Sequence, residues 1–339
     1  MTCRIFNVPI VKGDIMQRRL FLKSSAAAAA GLAISRTAWG QGYPTRPVRI
    51  IVPFAPGGPT DVAARLIALG LTERLGRNFL VENVAGASSN IGTVQAAKMA
   101  PDGYTLLITV NNLVINPSLF DKVAFDPYKD FDPIVNAVGF SSAFAIHPSV
   151  PAKSVKELVE LIRKSPGKFS YASPGLGTPS HLLGEQLRVT NKLDMVHVPY
   201  QGSGPAIQAA LAGHTQICFA AMSAAAPQAQ AGKLRVLAVL SERPSSSMPE
   251  VPTIAAAGFP GLEGDGWVGA LVPSGTPKEI VALLNKEINA IITLPGSKDK
   301  LAALGLDLVG GSPEDFAKQM RAEGEKWAKV IKAANIKAK

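Results

Sequence analysis

The amino-acid sequence predicts an α/β fold built as two lobes, the first of them discontinuous, with a hinge between them. Three observations predict it. Strand-like and helix-like patterns alternate from Val48 to Leu240, the arrangement that gives a parallel sheet flanked by helices. Two long amphipathic segments then close the chain. About 300 residues follow an N-terminal leader, more than a single hydrophobic core usually holds.

The elements follow in order. Val48 to Phe54 is an apolar, β-branched run that ends at Gly57-Gly58, and a helical stretch runs from Thr60 to Leu75. Phe79 to Glu82 is a short strand, Ile91 to Ala100 a helix, Pro101-Asp102-Gly103 a turn and Tyr104 to Val110 a strand. Between Lys153 and Lys164, Val155, Leu158, Val159 and Ile162 share one helix face. Strands at 169–172, 195–198, 217–220 and 234–240 alternate with helices at 179–189, 205–212 and 224–231. In the last segment Val281, Leu284, Ile288, Ile291 and Ile292 form one stripe, and Phe316, Met320, Trp327, Val330 and Ile331 another. Such stripes face a core, and the incomplete sheet nearest to hand is the N-terminal one. The first lobe is therefore expected over 41–138 plus 264–339 and the second over 139–263. Two crossings between lobes make a hinge and a cleft.

Residues 1–40 stand apart as a leader. Arg18-Arg19-Leu20-Phe21-Leu22-Lys23 precedes an apolar run from Ala26 to Ile34, and Ala38-Trp39-Gly40 follows. A paired-arginine n-region, a short h-region and a small-x-small site read as a twin-arginine secretory signal. The h-region is shorter than the roughly 20 residues a membrane span needs. Met16 lies at the natural distance from the arginine pair, so the start is either Met1 or Met16. The leader carries six of the 35 basic and one of the 25 acidic residues, leaving 29 against 24 and a charge of +5. Basic residues are dispersed and few aromatics lie among them, which excludes nucleic acid as a partner and favours small anions. Cys3 falls in the leader and Cys218 in an apolar segment; without metal-ligand spacings, neither a metal site nor a cofactor is expected.

Three glycine-rich loops recur between a strand and a helix: Phe54 to Asp61, Ser173 to Ser180 and Pro199 to Pro205. Glycine brings backbone N–H groups close to a ligand, and proline or a hydroxyl residue then opens a helix whose N-terminus favours negative charge. One loop belongs to the first lobe and two to the second. Enzyme motifs are weaker. Gly175-Leu176-Gly177-Thr178-Pro179-Ser180 lacks the third glycine of a dinucleotide fingerprint, and no phosphate loop or nucleophile elbow is present. Of His147, His181, His197 and His214, only His181 falls beside a glycine loop, with no acid near it in sequence to orient it as a base. No catalytic residue is expected.

With these loops in place the chain resembles the Bug family, the solute receptors of tripartite tricarboxylate transporters. The marks are Tyr43-Pro44-Thr45-Arg46-Pro47-Val48-Arg49, Val52-Pro53-Phe54-Ala55-Pro56-Gly57-Gly58 with Asp61, Val81-Glu82-Asn83, Asn90-Ile91-Gly92-Thr93 and Ala100-Pro101-Asp102-Gly103-Tyr104-Thr105-Leu106. His147-Pro148-Ser149-Val150-Pro151, Tyr171-Ala172-Ser173, His197-Val198-Pro199-Tyr200, Ala231-Gly232-Lys233-Leu234-Arg235, Val251-Pro252-Thr253 and Ser274-Gly275-Thr276-Pro277 continue the series. The resemblance implies a Venus-flytrap periplasmic binding protein, expected as a monomer, that takes a small carboxylate in the interlobe cleft and delivers it to two membrane subunits. It implies ligand contacts from Phe54, Ala55, Gly57, Gly58 and Thr60, with Asp61 capping the helix, from the segment at Asn90, and from Ser173, Thr178 and His181. It also leads us to expect an acidic or amide side chain where Ala220 stands, so that Ala220 would make an apolar wall against a ligand without an amino group. A ligand sensor on the same fold and a secreted hydrolase are the alternatives.

Export provides the first test. Cleavage is expected after Gly40, and replacing Arg18 and Arg19 by Lys should strand the precursor in the cytoplasm; normal export of that double variant would exclude the twin-arginine route.

Overall fold

A computed structural model describes residues 42–200 and 202–338. The arginine pair, Cys3 and the cleavage site at Gly40 lie outside the described residues. From Arg46 onward the chain forms one compact unit holding two sheets.

The first sheet has the order β11-β4-β10-β3-β1-β2. Its strands are β1 (Val48–Val52), β2 (Phe79–Asn83), β3 (Thr105–Val110), β4 (Phe131–Phe140), β10 (Gly266–Pro273) and β11 (Asp307–Leu308). The second has the order β7-β6-β8-β5-β9, from β5 (Ser142–Ile146), β6 (Phe169–Ser173), β7 (Met195–Pro199), β8 (Ile217–Ala221) and β9 (Arg235–Val239). The helices are α1 (Pro59–Leu75), α2 (Asn90–Ala97), α3 (Asn112–Leu119), α4 (Val155–Lys164), α5 (Pro179–Thr190), α6 (Ser203–Leu211), α7 (Met222–Gln230), α8 (Lys278–Ile292), α9 (Pro295–Ala303) and α10 (Pro313–Ala334). The discontinuity holds: β10, β11 and α8 to α10 come after the second sheet in sequence, and both strands join the first.

Neither sheet is purely parallel, as the alternation alone had suggested. β1 pairs parallel with β2 and β3, and β6 with β7 and β8. β10 runs antiparallel to β3 and β4, and β5 antiparallel to β8 and β9. These antiparallel strands are the ones that carry the chain between sheets, because a strand that returns from the other sheet enters at the end where its parallel neighbours finish. Gly266 at the start of β10 lies opposite Phe140 at the end of β4, and Val268 opposite Val110 at the end of β3. In the second sheet Ser142 pairs with Ala221 and Ala143 with Val239. Both crossings thus sit at the carboxyl ends of the parallel strands, and those ends of the two sheets face the same hinge.

Burial follows the strand patterns. Both faces of the second sheet are covered: Phe144, Tyr171, Ile217 and Phe219 belong to one cluster, Ala143, Ala172, Cys218 and Ala220 to the other. Phe144 stacks on Phe219 at 4.5 Å, and Tyr171 meets Phe219 edge-on at 5.4 Å. Cys218 is buried among small apolar side chains, and burial pushes its thiol up to about 12.

α10 departs from expectation. Its stripe was assigned wholly to the first sheet, and Phe316 and Met320 do pack there with Trp267 and Leu271. Two turns on, Trp327, Val330 and Ile331 join Leu182, Leu183 and Leu187 of α5 and Phe144 of the second sheet. At 22 residues the helix is long enough to reach both. The hinge beside it is fastened by polar groups. Asn111 Nδ2 donates to the Asp265 carbonyl (3.2 Å) and to Glu323 Oε2 (2.7 Å), while Asn111 Oδ1 accepts from Trp267 N (2.9 Å). Burial, reinforced by the nearby Glu242, Glu323 and Asp307, pushes the Asp265 carboxyl up to about 6 against the Ser241 hydroxyl bond that opposes the rise.

Trp327 is 1% exposed, and removing a buried tryptophan costs about 3–5 kcal/mol. Trp327→Ala should lower the urea unfolding free energy by that amount. A loss below about 1 kcal/mol, the level of an ordinary surface change, would mean that α10 does not tie the sheets together.

Candidate functional site

The site is built from loops at the carboxyl ends of parallel strands. In the first sheet, β1 runs into Phe54–Gly58 and α1. Gly57 has φ +87 and Gly58 is the N-cap of α1, with Pro59 at its first position. Pro59 has no N–H, so the first unpaired donors of the helix are the backbone amides of Thr60 and Asp61. Ala55 and Gly57 are exposed, Phe54 and Gly58 half-buried and Thr60 buried.

Asp61 is 2% exposed and turned inward. Its Oδ2 accepts from Gly57 N and Arg65 Nε, both at 2.9 Å, and its Oδ1 accepts from Asn83 Nδ2 at 2.8 Å. Asn83 Nδ2 also donates to the Phe54 carbonyl at 3.1 Å. Burial alone would raise the Asp61 pKa, but the Arg65, Gly57 and Asn83 hydrogen bonds and the Arg65 charge together hold it below the usual carboxylate value. Asp61 therefore staples the loop from within, the acid reaching back as in a capping box, rather than meeting a ligand. Asn83 and Arg65 share this task, and nothing in the sequence pattern marked them for it.

After β2 the chain turns through Ala87, Ser88 and Ser89, with φ of 47°, 52° and 77°. Three consecutive left-handed residues other than glycine are costly backbone. α2 follows, and Asn90 is half-buried at its start. Gly92 brings this helix against the first loop: a Cβ there would lie 2.7 Å from the Val84 carbonyl oxygen and 2.9 Å from Pro53 Cβ. The first turn of α2 therefore packs on the residues that follow β1 and β2, its Asn90 and Ile91 amides bonded back to the Ala87 and Gly86 carbonyls. Asn116 of α3 donates through Nδ2 to the Ser88 carbonyl (2.7 Å) and to Asn90 Oδ1 (2.8 Å). Ser89 Oγ and Asn116 Oδ1 are buried without a hydrogen-bond partner among the described residues.

The second sheet supplies two more glycine loops, and they touch. Tyr200 N donates to the Ser173 carbonyl (3.0 Å) and Gly202 N to the Pro174 carbonyl (2.9 Å). Gly175 and Gly177 have φ of +143° and +77°. Thr178 is the N-cap of α5, accepting from His181 N at 3.3 Å and donating to the Gly175 carbonyl at 2.8 Å. The buried Ser173 hydroxyl bonds within the same loop and to His197 Nε2 at 2.7 Å. Ser173, Thr178 and His181 are thus brought together, their bonds directed at shaping the loop. α6 opens at Ser203, two residues earlier than the sequence suggests, with the Ser203 hydroxyl accepting from Ala221 N at 3.2 Å.

His181 is 2% exposed. Its Nδ1 accepts from Gly177 N–H at 3.1 Å and its ring stacks on His197 at 4.0 Å. Burial first, then the positive charges of His197 and Arg188, push its imidazole down to about 3; burial pushes His197 down to about 4 against the Glu185 charge. Both rings stay neutral at ordinary pH, and an Nδ1 that accepts leaves the proton on Nε2.

Ala220 requires a correction. It is 1% exposed and packs among Ala206, Ile207, Met222 and Ala225 under α6 and α7. Side chains alternate across a strand, and this one falls on the helix-covered face, so it does not form a wall of the cleft. The expectation of a ligand without an amino group rested on that wall and loses its ground.

The loops of the two sheets meet at α3. A Cβ on Gly177 would lie 2.3 Å from Leu119 Cδ2, one turn beyond Asn116. Glycine loops and helix N-termini from two sheets, gathered around a two-crossing hinge, define the class of two-lobed α/β solute receptors. The family follows from comparison: residues 63–336 match the model of the tripartite tricarboxylate transporter family receptor, and the chain belongs to that family. It is 34% identical to Protein BugT of Bordetella pertussis over 96% of this chain and 99% of that one. Among solved structures it resembles Rpa4515 of R. palustris with adipate (34% identity, TM-score 0.75, covering 87% of this chain and 99% of that one). It likewise resembles MatC of Rhodopseudomonas palustris with bound malate (30%, 0.72, 85% and 100%). The family consists of periplasmic solute receptors, not enzymes.

The histidine pair gives a pH prediction. Both imidazoles have folded-state pKa values below the ordinary 6.5, so the unfolded chain takes up protons first and stability falls as pH falls from 6.5 toward 4 and 3. By pH 4 the His181 shift alone amounts to about 3 kcal/mol. Asp265, raised to about 6, works in the opposite sense between pH 3.8 and 6, with a smaller shift than the two histidines combined. Urea midpoints should therefore drop on acidification from pH 7 to 4; a maximum at pH 5 or below would contradict neutral, buried imidazoles.

Proposed function

We propose that this chain captures a small carboxylate between its two sheets and delivers it to two membrane subunits of a tripartite tricarboxylate-type transporter. The reading takes the first lobe as 41–138 plus 264–339 and the second as 139–263, closing about the hinge as a monomer after export through the twin-arginine signal. The observation that carries it is the N-terminus of α1, which opens at Gly58 and Pro59 directly after a glycine loop. Gly92 lets α2 pack against Pro53 and Val84, close to where that loop begins. Such a helix end attracts an anion without an arginine, since it carries about half a positive charge. Phe54, Ala55, Gly57, Gly58, Thr60 and Asn90 would surround one carboxylate group. Ser173, Thr178 and His181 would shape the opposing loop that closes on the rest of the ligand. The adipate and malate described with the two solved relatives support a carboxylate as the ligand here.

Gly58→Val tests the site. A Cβ at Gly58 meets nothing within 4 Å, and its φ of −77° suits any residue, so the variant folds. Its branched side chain would sit over the N-terminus of α1 and block backbone approach. Calorimetry with adipate and malate should show affinity weakened at least about tenfold, or about 1.4 kcal/mol, at an unchanged melting temperature. Equal affinity in both proteins would remove the first loop from the site, and wild-type protein that binds no mono-, di- or tricarboxylate would remove the proposal.

A further inference from the structure

α3 spans only Asn112–Leu119, yet three of its connections reach three different parts of the molecule. At its N-terminal end Asn111 ties the hinge, bonding the Asp265 carbonyl, Trp267 N and Glu323. In its middle Asn116, 0% exposed, bonds the Ser88 carbonyl and Asn90 Oδ1. At its C-terminal end Leu119 lies against Gly177 in the second sheet's glycine loop. Ile115 and Leu119 are both buried in the cluster shared with α5, Phe144 and Trp327, which leaves the helix little freedom to move by itself.

The turn that Asn116 grips is closed by two backbone bonds, from Asn90 N to the Ala87 carbonyl and from Ile91 N to the Gly86 carbonyl. Ala87, Ser88 and Ser89 are all left-handed, a conformation that persists only when its surroundings enforce it. Ser89 Oγ has no partner among the described residues, and Asn116 adds a side-chain hold from outside the turn. Asn116 Nδ2 grips the turn at Ser88 and the helix start at Asn90 with a single amide, setting the direction in which α2 leaves the turn.

We propose that Asn116 is a positioning residue for ligand capture, holding the 87–89 turn in register with the Gly175–Gly177 loop of the other sheet through α3. A movement of Leu119 as the second loop closes shifts Asn116 by the same rigid helix, and with it the α2 N-terminus. The lobes then close onto an anion site whose two halves are set by one short element. This rests on the carboxylate-receptor reading for its purpose but not for its mechanics.

The test is amide hydrogen exchange on the exported protein, with calorimetry against adipate and malate as probes. Asn116→Leu keeps the side-chain volume and removes both hydrogen bonds. Exchange at 86–90 should accelerate at least about tenfold, exchange at 175–177 should accelerate with it, and α8 should be unchanged. Affinity for whichever probe binds should fall at least about tenfold. A merely local role would loosen 86–90 and leave 175–177 protected, and that result overturns the proposal, as does affinity within about twofold of wild type. Leu119→Ala, which touches neither Ser88 nor Asn90, covers the case of a misfolded Asn116 variant: it must loosen 86–90 as well as 175–177, and unchanged protection at 86–90 overturns the coupling. If wild-type protein binds neither probe, the ligand class fails, while the exchange results still decide the coupling.

Discussion

Everything in this molecule depends on the direction in which its strands end. Backbone N–H groups at the start of a helix have no partner within that helix, and a strand-to-helix turn exposes them at the strand's carboxyl end. β1 and β2 in one sheet and β6 and β7 in the other each finish into such a turn. The chain crosses between sheets at those same ends, through β4 to β5 and from the end of β9 to β10. One topological choice therefore makes both the hinge and the recognition surface, and places them together.

The glycines let backbone approach backbone, but side chains buried behind the loops fix their shape. Asp61, Asn83 and Arg65 hold the first loop, Asn116 the second turn, and Ser173, Thr178, His181 and His197 the loop of the other sheet. In each case the polar groups bond the loop's backbone or the side chains that hold it. In the function proposed above, the exposed main chain of these loops is the recognition surface.

The sequence made some of this legible. Glycine and proline mark turns for steric reasons that act locally, so the three loops and the helices after them were readable, and Pro59 and Pro179 open their helices as expected. The antiparallel strands β4, β5 and β10 were not. Their residues are buried on both faces, which erases the alternation that betrays a strand. α3 was hidden too, since Asn112 to Leu119 continues the apolar run of β3 and contains Pro117. Asn83 and Asn116 are single polar residues whose partners lie far away in sequence, and no local pattern distinguishes them from surface asparagines. The inward turn of Asp61 and the burial of Ala220 are likewise tertiary facts.

The most direct measurement is a crystal structure of the exported protein with a bound carboxylate, chosen by thermal shift from adipate, malate and their homologues. Carboxylate oxygens are expected about 3 Å from the amides of Thr60 and Asp61, with the glycine loop at 175–177 closed over the ligand. A ligand whose carboxylate is held instead by lysine or arginine side chains, away from the α1 N-terminus, would contradict this.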